Sequence, residues 1–447
     1  MTVLATLGVL LAIIAIIYWT SKNLHVIIAA PLASLIIILT NQMNVLEVML
    51  GKEQSYMAGL AGFLINNFAI FMLGSILAQY MEASGATQTI ANSILKVMGK
   101  DSPYKGLLAI TLIASILTYG GVSIFVVIFT LLPLSRPLFK ELNINWALFP
   151  LQVFLGAGTY TMTTLPGAPS IQNVIPTKVL GTSLTAAPVI SLAASLTLLV
   201  FGMLYMAYCL KKSLANGETY TEEEDDTSVA LADKAPNLFL SVLPLVSLIG
   251  TIFLMNQTPN VLAIGLLVSI ILSALIFYPY LPNQKEILNN ATIASVVPAF
   301  ATSSTVAFGT VLTLSAGFAV IQEWIQQIPG SPLISLSVST ALVSGIIGSS
   351  SGAVGIASSH FLPTYMEMGI NPELLHRVVV VASAILTVVP QSGVMITFHN
   401  LSRLSMKRGL KYSFILVIVG HILALLVVLL LAPIFFKKIE SLKEGKY

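Results

Sequence analysis

Four polar interruptions stand inside otherwise uncharged, apolar stretches of the chain. The first reads Thr118-Tyr119-Gly120-Gly121-Val122-Ser123. The second is Thr161-Met162-Thr163-Thr164-Leu165-Pro166-Gly167-Ala168-Pro169, with Gln172-Asn173 just beyond it. The third is Gly348-Ser349-Ser350-Ser351-Gly352 and the fourth Pro390-Gln391-Ser392-Gly393. Each joins helix-breaking residues to small hydroxyls or amides. Interrupted backbone in a bilayer has polar groups to satisfy, so it occurs only where protein buries it or water reaches it. Freed N–H groups at the positive end of a half-helix bind anions, and freed carbonyls bind cations. The residues expected to hold a carboxylate, through N–H and hydroxyl groups with no buried Arg required, are Gly120, Gly121, Ser123, Thr163, Thr164, Gly167, Ser349, Ser350, Ser351, Gly352, Gln391 and Ser392. For any single break the plain alternative is a kink packed on small neighbours.

Ionisable groups at membrane depth narrow the coupling chemistry, because each is by default a functional hypothesis. Glu82 follows the uncharged stretch 54–81, and His360 follows the triple serine. Both are candidates for a titrating group, although Glu82, like Arg136 between Pro133 and Pro137, also reads as interfacial. His399 lies just past the fourth break, while His25 and His421 carry no supporting context. Asn67, beside Asn66, is an ion-coupling candidate whose alternative is an interhelical hydrogen bond. Thr302-Ser303-Ser304-Thr305 is a second polar cluster, open to back-bonding onto its own helix. No Asp falls inside a long apolar stretch, so either a His or Glu titrates or oxygens alone hold an ion.

These residues need a membrane-spanning frame, and the composition supplies one. Of 447 residues, 56% are hydrophobic and 9% charged, with mean hydropathy +0.92, against roughly 25% charged in a soluble domain. Residues 54–81, 106–135, 142–177, 179–210, 235–284, 287–322 and 324–366 hold no Asp, Glu, Lys or Arg. At about 20 apolar residues per crossing, the chain is an all-α polytopic membrane protein with about 10–12 transmembrane segments. Residues 2–19 read as a retained first helix rather than a cleaved signal. Basic residues flank the segment 412–436 on both sides, so charge bias leaves the sidedness open.

The one long hydrophilic run, 211–236, carries Glu218, Glu222, Glu223, Glu224, Asp225, Asp226 and Asp233 and reads as a solvated, mobile acidic linker. It divides the chain into 1–210 and 237–436, with a basic tail at 437–447. The halves correspond. Ser84-Gly85 is answered by Ala316-Gly317, Gly121 by Ser351, Pro133 by Pro363, Asn145 by Asn371 and Pro166 by Pro390. The offset narrows from 232 residues (Gly85 to Gly317) to 224 (Pro166 to Pro390), as small insertions accumulating in one repeat would produce. Internal repeats build many secondary transporters, with the substrate where the repeats meet. The helix count alone leaves open whether these are inverted.

Gly120-Gly121-Val122-Ser123-Ile124-Phe125-Val126-Val127-Ile128-Phe129, then Leu132-Pro133-Leu134, resembles the gluconate permease family of proton-coupled organic-acid symporters. Gly74, Glu82 and Ser84-Gly85 are similar to that family's third-segment pattern, and segment order fits along nearly the whole chain. Thr163 to Pro169 is similar to its Pro-rich hairpin. Where the family carries Asn-Asp-Ser-Gly, this chain reads Pro390-Gln391-Ser392-Gly393, without an acid. The resemblance implies the ion transporter superfamily: inverted repeats, re-entrant hairpins meeting tip to tip, a dimerising scaffold and an elevator-type transport domain.

The expected function is symport of a small organic anion across a cytoplasmic membrane, coupled to H+ or Na+, with no other cofactor. The substrate is a gluconate-like sugar acid or a hydroxy-monocarboxylate, with keto-, di- and tricarboxylates open. A passive channel or facilitator is the alternative. P-loop and HExxH are absent, so an enzyme is not expected. The charge of +3 and the lack of a basic aromatic stripe give no nucleic-acid partner, and the lone Cys209 excludes internal disulfides.

Overall fold

The computed structural model describes residues 2–22, 24–98, 102–119, 122–168, 170–221, 235–255, 260–281, 283–326 and 331–443. Among them every regular element is helical. Gly120 and Gly121, most of the acidic run (222–234) and the last residues of the tail lie outside the described residues.

Uncharged apolar runs become helices wherever a cap or a breaker sets their ends. The first half contains α1 (Thr2–Ser21), α2 (Val26–Thr40), the short α3 (Val45–Leu50), α4 (Tyr56–Ala83), α5 (Ala86–Met98) and α6 (Pro103–Tyr119). It continues with α7 (Ile124–Glu141), α8 (Phe149–Ala157), the single turn α9 (Tyr160–Thr163), α10 (Ile171–Leu180) and α11 (Pro188–Ala215). The second half contains α12 (Leu238–Leu254), α13 (Val261–Ile276), α14 (Gln284–Leu314), α15 (Ala316–Gln326) and α16 (Pro332–Ile347). After these come α17 (Ser350–Ile356), α18 (Leu362–Glu367), α19 (Pro372–Ser383), α20 (Gly393–Ser402) and α21 (Met406–Lys443). Five described helices are long and apolar enough to cross a membrane, and five shorter apolar helices accompany them.

The two asparagines that open corresponding segments act alike. The Asn145 side chain accepts from Ala147 N at 3.0 Å ahead of α8, and Asn371 accepts from Glu373 N at 2.9 Å ahead of α19. Both satisfy first-turn donors that an apolar side chain would leave bare.

Packing follows the same correspondence. The long helices α4 and α14 lie against each other, as do α11 and α21. Helix α2 packs on α14 as α13 packs on α4, α1 on α15 as α12 on α5, and α10 on α17 as α20 on α7. Each half thus leans on the other as well as packing on itself. One buried core joins Val9 and Ile37 to Phe308, Leu336 and Val379; another joins Leu107, Val127 and Phe149 to Leu248, Leu266 and Phe398. Exposed large apolar residues such as Leu7, Leu196, Ile271 and Leu430 stud the outer faces, the pattern of a surface that meets lipid.

Around the hydrophilic run the elements extend further than the sequence reading placed them. Lys211 to Ala215 complete α11, and α21 runs unbroken into the basic tail as far as Lys443. Glu218 is not freely solvated. It accepts hydrogen bonds from Ser213 Oγ at 2.6 Å and Asn145 Nδ2 at 2.7 Å, tying the end of α11 to the start of α8.

Candidate functional site

Each break is a short gap between two helices, and four of the helices that resume are headed by serine. Ser123 precedes α7, Ser170 α10, Ser349 α17 and Ser392 α20. Ser170 and Ser349 cap their own helices, accepting from Asn173 N at 3.3 Å and Gly352 N at 3.2 Å. The side chains of Ser123 and Ser392 make no cap hydrogen bond.

The third and fourth breaks touch. Gly348 ends α16 at φ +70°, a left-handed conformation that glycine adopts without strain. A Cβ there would meet Ser392 Cα at 3.2 Å. Gln391 Nε2 donates to Gly345 O at 3.0 Å, fastening the fourth break onto α16, and Ser350 Oγ pairs with Ser383 Oγ at 2.7 Å. A Cβ on Gly393 would stand 2.6 Å from Thr302 Cγ2, so only glycine lets the start of α20 approach α14.

The second break is held from inside. Thr159 Oγ1 and Thr161 Oγ1 donate to Leu155 O and Gly156 O, each at 2.8 Å, closing carbonyls left open where α8 ends. Ser195 Oγ on α11 donates to Thr164 Oγ1 at 2.8 Å, and Tyr119 Oη donates to Pro166 O at 3.2 Å.

A cavity of about 610 Å³ lies where the four breaks converge, walled by α4 and α14. Of the residues the sequence singled out, Ser123, Thr163, Ser349, Ser350, Ser351, Gly352, Ser392 and Asn67 line it. Thr302 and Thr305 of the hydroxyl cluster also line it, and all four hydroxyls back-bond to their own helix: Thr302 to Pro298 O, Ser303 and Ser304 to Phe300 O, Thr305 to Ala301 O. Among the described lining residues there is no Asp, Glu, Lys, Arg or His. Thr118, Ser123 and Gln172 each line the cavity with a buried side-chain oxygen that has no hydrogen-bond partner. Such atoms are costly unless something polar comes to them.

Other candidates stand apart. Thr164 and Gln391 are fully buried behind the wall, and Gly167, at φ +81°, shapes the loop after α9. Glu82 sits in the last turn of α4, 12 residues beyond Ile70, the last residue of that helix on the cavity; at 1.5 Å per residue this is about 18 Å away. His360 is exposed, in the π-helical turn Ala357–Phe361, and does not line the cavity. The amides of Asn66 and Asn67 do not bridge helices: they donate to Gly62 O and Phe63 O on their own helix, at 2.7 and 2.9 Å.

Two features were not singled out by the sequence reading. Arg377 on α19 is fully buried, and each of its three nitrogens is engaged: Nε to Ala186 O at 2.7 Å, Nη1 to Asn173 Oδ1 at 3.0 Å and Nη2 to Leu184 O at 2.8 Å. Neighbouring His376 bonds Asn173 Oδ1 and Thr182 Oγ1, and Glu373 Oε2 accepts from Ala187 N. This cluster positions α10 and the turn after it. Glu373, His376 and Arg377 recur at i, i+3 and i+4, the spacing of one helix face, which was the available signal. The second feature is His421, buried on α21 with Nε2 3.1 Å from Thr163 Oγ1.

The chain is similar to proteins described as permeases and transporters. The family model described as "GntP family permease" matches residues 1–434. A relative from Bacillus subtilis (strain 168), named "Uncharacterized transporter YxjC", is 31% identical over 92% of this chain and 95% of its own. An "Uncharacterized permease" of Haemophilus influenzae is 25% identical over 82% of this chain and 79% of its own. Among solved structures, the Alcanivorax borkumensis YdaH transporter covers 86% of this chain and 87% of its own at 15% identity and TM-score 0.36. Neisseria gonorrhoeae MtrF covers 85% and 82% at 14% identity and TM-score 0.41. Those two scores are too low to establish a shared arrangement of helices.

Proposed function

Because the chain belongs to the GntP family of permeases, and is therefore a multi-pass membrane transporter, we propose that it is a symporter for a small organic acid anion. The substrate is a hydroxy-monocarboxylate or a gluconate-like sugar acid, carried across the cytoplasmic membrane with H+ or Na+.

One observation carries the reading: four interrupted helix pairs frame a single cavity whose described wall has no charged side chain. Specificity for an anion then falls to backbone. The helices that resume after the breaks turn positive N-terminal ends toward the cavity, the standard anion environment. Ser123 and Ser392 add hydroxyls not spent on capping. The helices that end at the same breaks bring carbonyl-rich C-termini, which attract a cation. Anion and cation sites side by side are what symport needs.

The same reading takes the halves as inverted repeats and the motion as elevator-type, within a homodimer. The crosswise pairing of helix contacts supports the repeat.

Purified protein in proteoliposomes, with proton and sodium gradients imposed separately, tests the function. Accumulation of a carboxylate above its external concentration under one of the gradients is expected. Equilibration without accumulation would make the protein a facilitator, and failure to move any mono-, di- or tricarboxylate would overturn the reading.

A further inference from the structure

We propose that His421 carries the coupling proton and that the Thr163 hydroxyl connects it to the cavity. This deepens the symport reading and rests on it, by naming the coupling ion and the residue that binds it.

The hydrogen-bond geometry carries the argument. His421 Nδ1 lies 2.7 Å from Val417 O, which can only accept, so Nδ1 bears a hydrogen in every state. Nε2 lies 3.1 Å from Thr163 Oγ1, and that same oxygen lies 3.0 Å from Thr159 O. A threonine hydroxyl has one hydrogen and two lone pairs. With a neutral imidazole, Thr163 donates to Nε2, and Thr159 O keeps its bonds from Met162 N and Thr163 N. With an imidazolium, Nε2–H donates to Thr163 Oγ1, whose own hydrogen turns to Thr159 O. Both protonation states are fully hydrogen-bonded, and one hydroxyl rotation accompanies gain or loss of the proton at Nε2. A buried histidine serving only as packing needs one such arrangement; this one has two.

Placement gives the switch a function. Thr163 lines the cavity, so a proton on Nε2 puts positive charge one residue behind the anion site. Anion binding then favours protonation and protonation favours the anion by the same factor. Charged and titratable side chains on the packed elements leave that field unopposed. Helix α8 has none. Tyr160 of α9 donates to Ser115 Oγ. On α11, Tyr205, Tyr208, Cys209, Lys211 and Lys212 all follow the stretch near Leu198 and Phe201 that faces Gly420. On α19, Glu373, His376 and Arg377 are engaged with the 173–187 segment. His399 of α20 bonds Leu404 O, and α21's own basic residues cluster at its two ends.

The test uses radiolabelled D-gluconate, L-lactate and citrate in proteoliposomes of wild-type, His421→Gln and Thr163→Ser protein. An imposed gradient of one pH unit supports about tenfold accumulation at one proton per monocarboxylate. Wild-type protein is expected to approach that ratio, and Thr163→Ser, which retains a hydroxyl at the same place, to accumulate the acid above its external concentration. His421→Gln is expected to equilibrate the acid and to keep exchanging it in counterflow, which needs no proton, as a misfolded variant would not. Proton-driven accumulation by His421→Gln, or accumulation driven by sodium and indifferent to pH, overturns the proposal while leaving symport standing. Absence of uptake by the wild type defeats the symport reading instead, and the proton site is then decided by nitrogen NMR of histidine-labelled protein. There the His421 signals are expected to titrate as an Nδ1–H tautomer and to shift in Thr163→Val; a resonance that never titrates overturns it.

Discussion

Ser123 and Ser392 stand at the starts of α7 and α20 with hydroxyls that cap nothing. Hydrogen bonds to a charged partner contribute about 1.5–3 kcal/mol each. Ser123→Ala and Ser392→Ala should therefore each weaken the apparent affinity for the transported acid by about tenfold or more, read as KM in uptake assays, with unfolding temperature unchanged. A branched apolar chain at Ser351, on the cavity wall at the third break, would take up cavity space and remove a hydroxyl. Ser351→Leu should abolish uptake while expression and folding persist; normal uptake would remove the third break from the site. These serines were legible because hydroxyls beside Gly or Pro inside uncharged apolar sequence have few purely structural uses. Glu82 and His360 were not separable from them by type alone. Which way a residue faces, and how far along a helix it sits, decides membership, and both are set by tertiary packing.

At the scale of elements, the site depends on how α10 and the turn following it are held. Arg377 supplies three hydrogen bonds to that segment from full burial. Arg377→Met keeps the volume and removes all three, while Ala186 O keeps its bond from Ser191 Oγ and Leu184 O its bonds from Gly167 N and Asn173 Nδ2. Hydrogen bonds inside membrane proteins average about 0.6 kcal/mol and reach about 1.7, so a loss of about 2–5 kcal/mol is expected, measured as a fall in unfolding temperature of purified protein, with uptake lost alongside. A second tie lies outside the membrane. Hydrogen bonds from Ser213 and Asn145 hold the Glu218 carboxyl below the usual carboxylate range. The stabilisation is present above the unfolded-state value and is lost as pH falls through the folded one. Glu218→Ala should unfold at a lower temperature than wild type near neutral pH, and the gap should close on acidification. The breaks themselves, and the asparagine caps that open α8 and α19, could be read from the chain because breakers and caps act locally. The Thr163–His421 contact could not, since 258 residues separate the pair.

For the whole molecule, the ordered pairing of breaks with an offset narrowing from 232 to 224 residues leads to the expectation of two related halves. It did not reveal that each core would draw on both halves. Hydropathy reports that a face is apolar, without saying which partner covers it. That crosswise arrangement brings all four breaks to one cavity, and the account stands on the cavity being an anion site. Calorimetric titration of the wild type and of the Ser123→Ala/Ser392→Ala double variant with a carboxylate panel, alongside the matching uncharged polyols, tests this most directly. The account predicts a carboxylate that binds the wild type, binds the double variant at least about tenfold more weakly, and has no uncharged counterpart that binds. Equal affinity for both proteins, or equal affinity for the acid and its polyol, would contradict it.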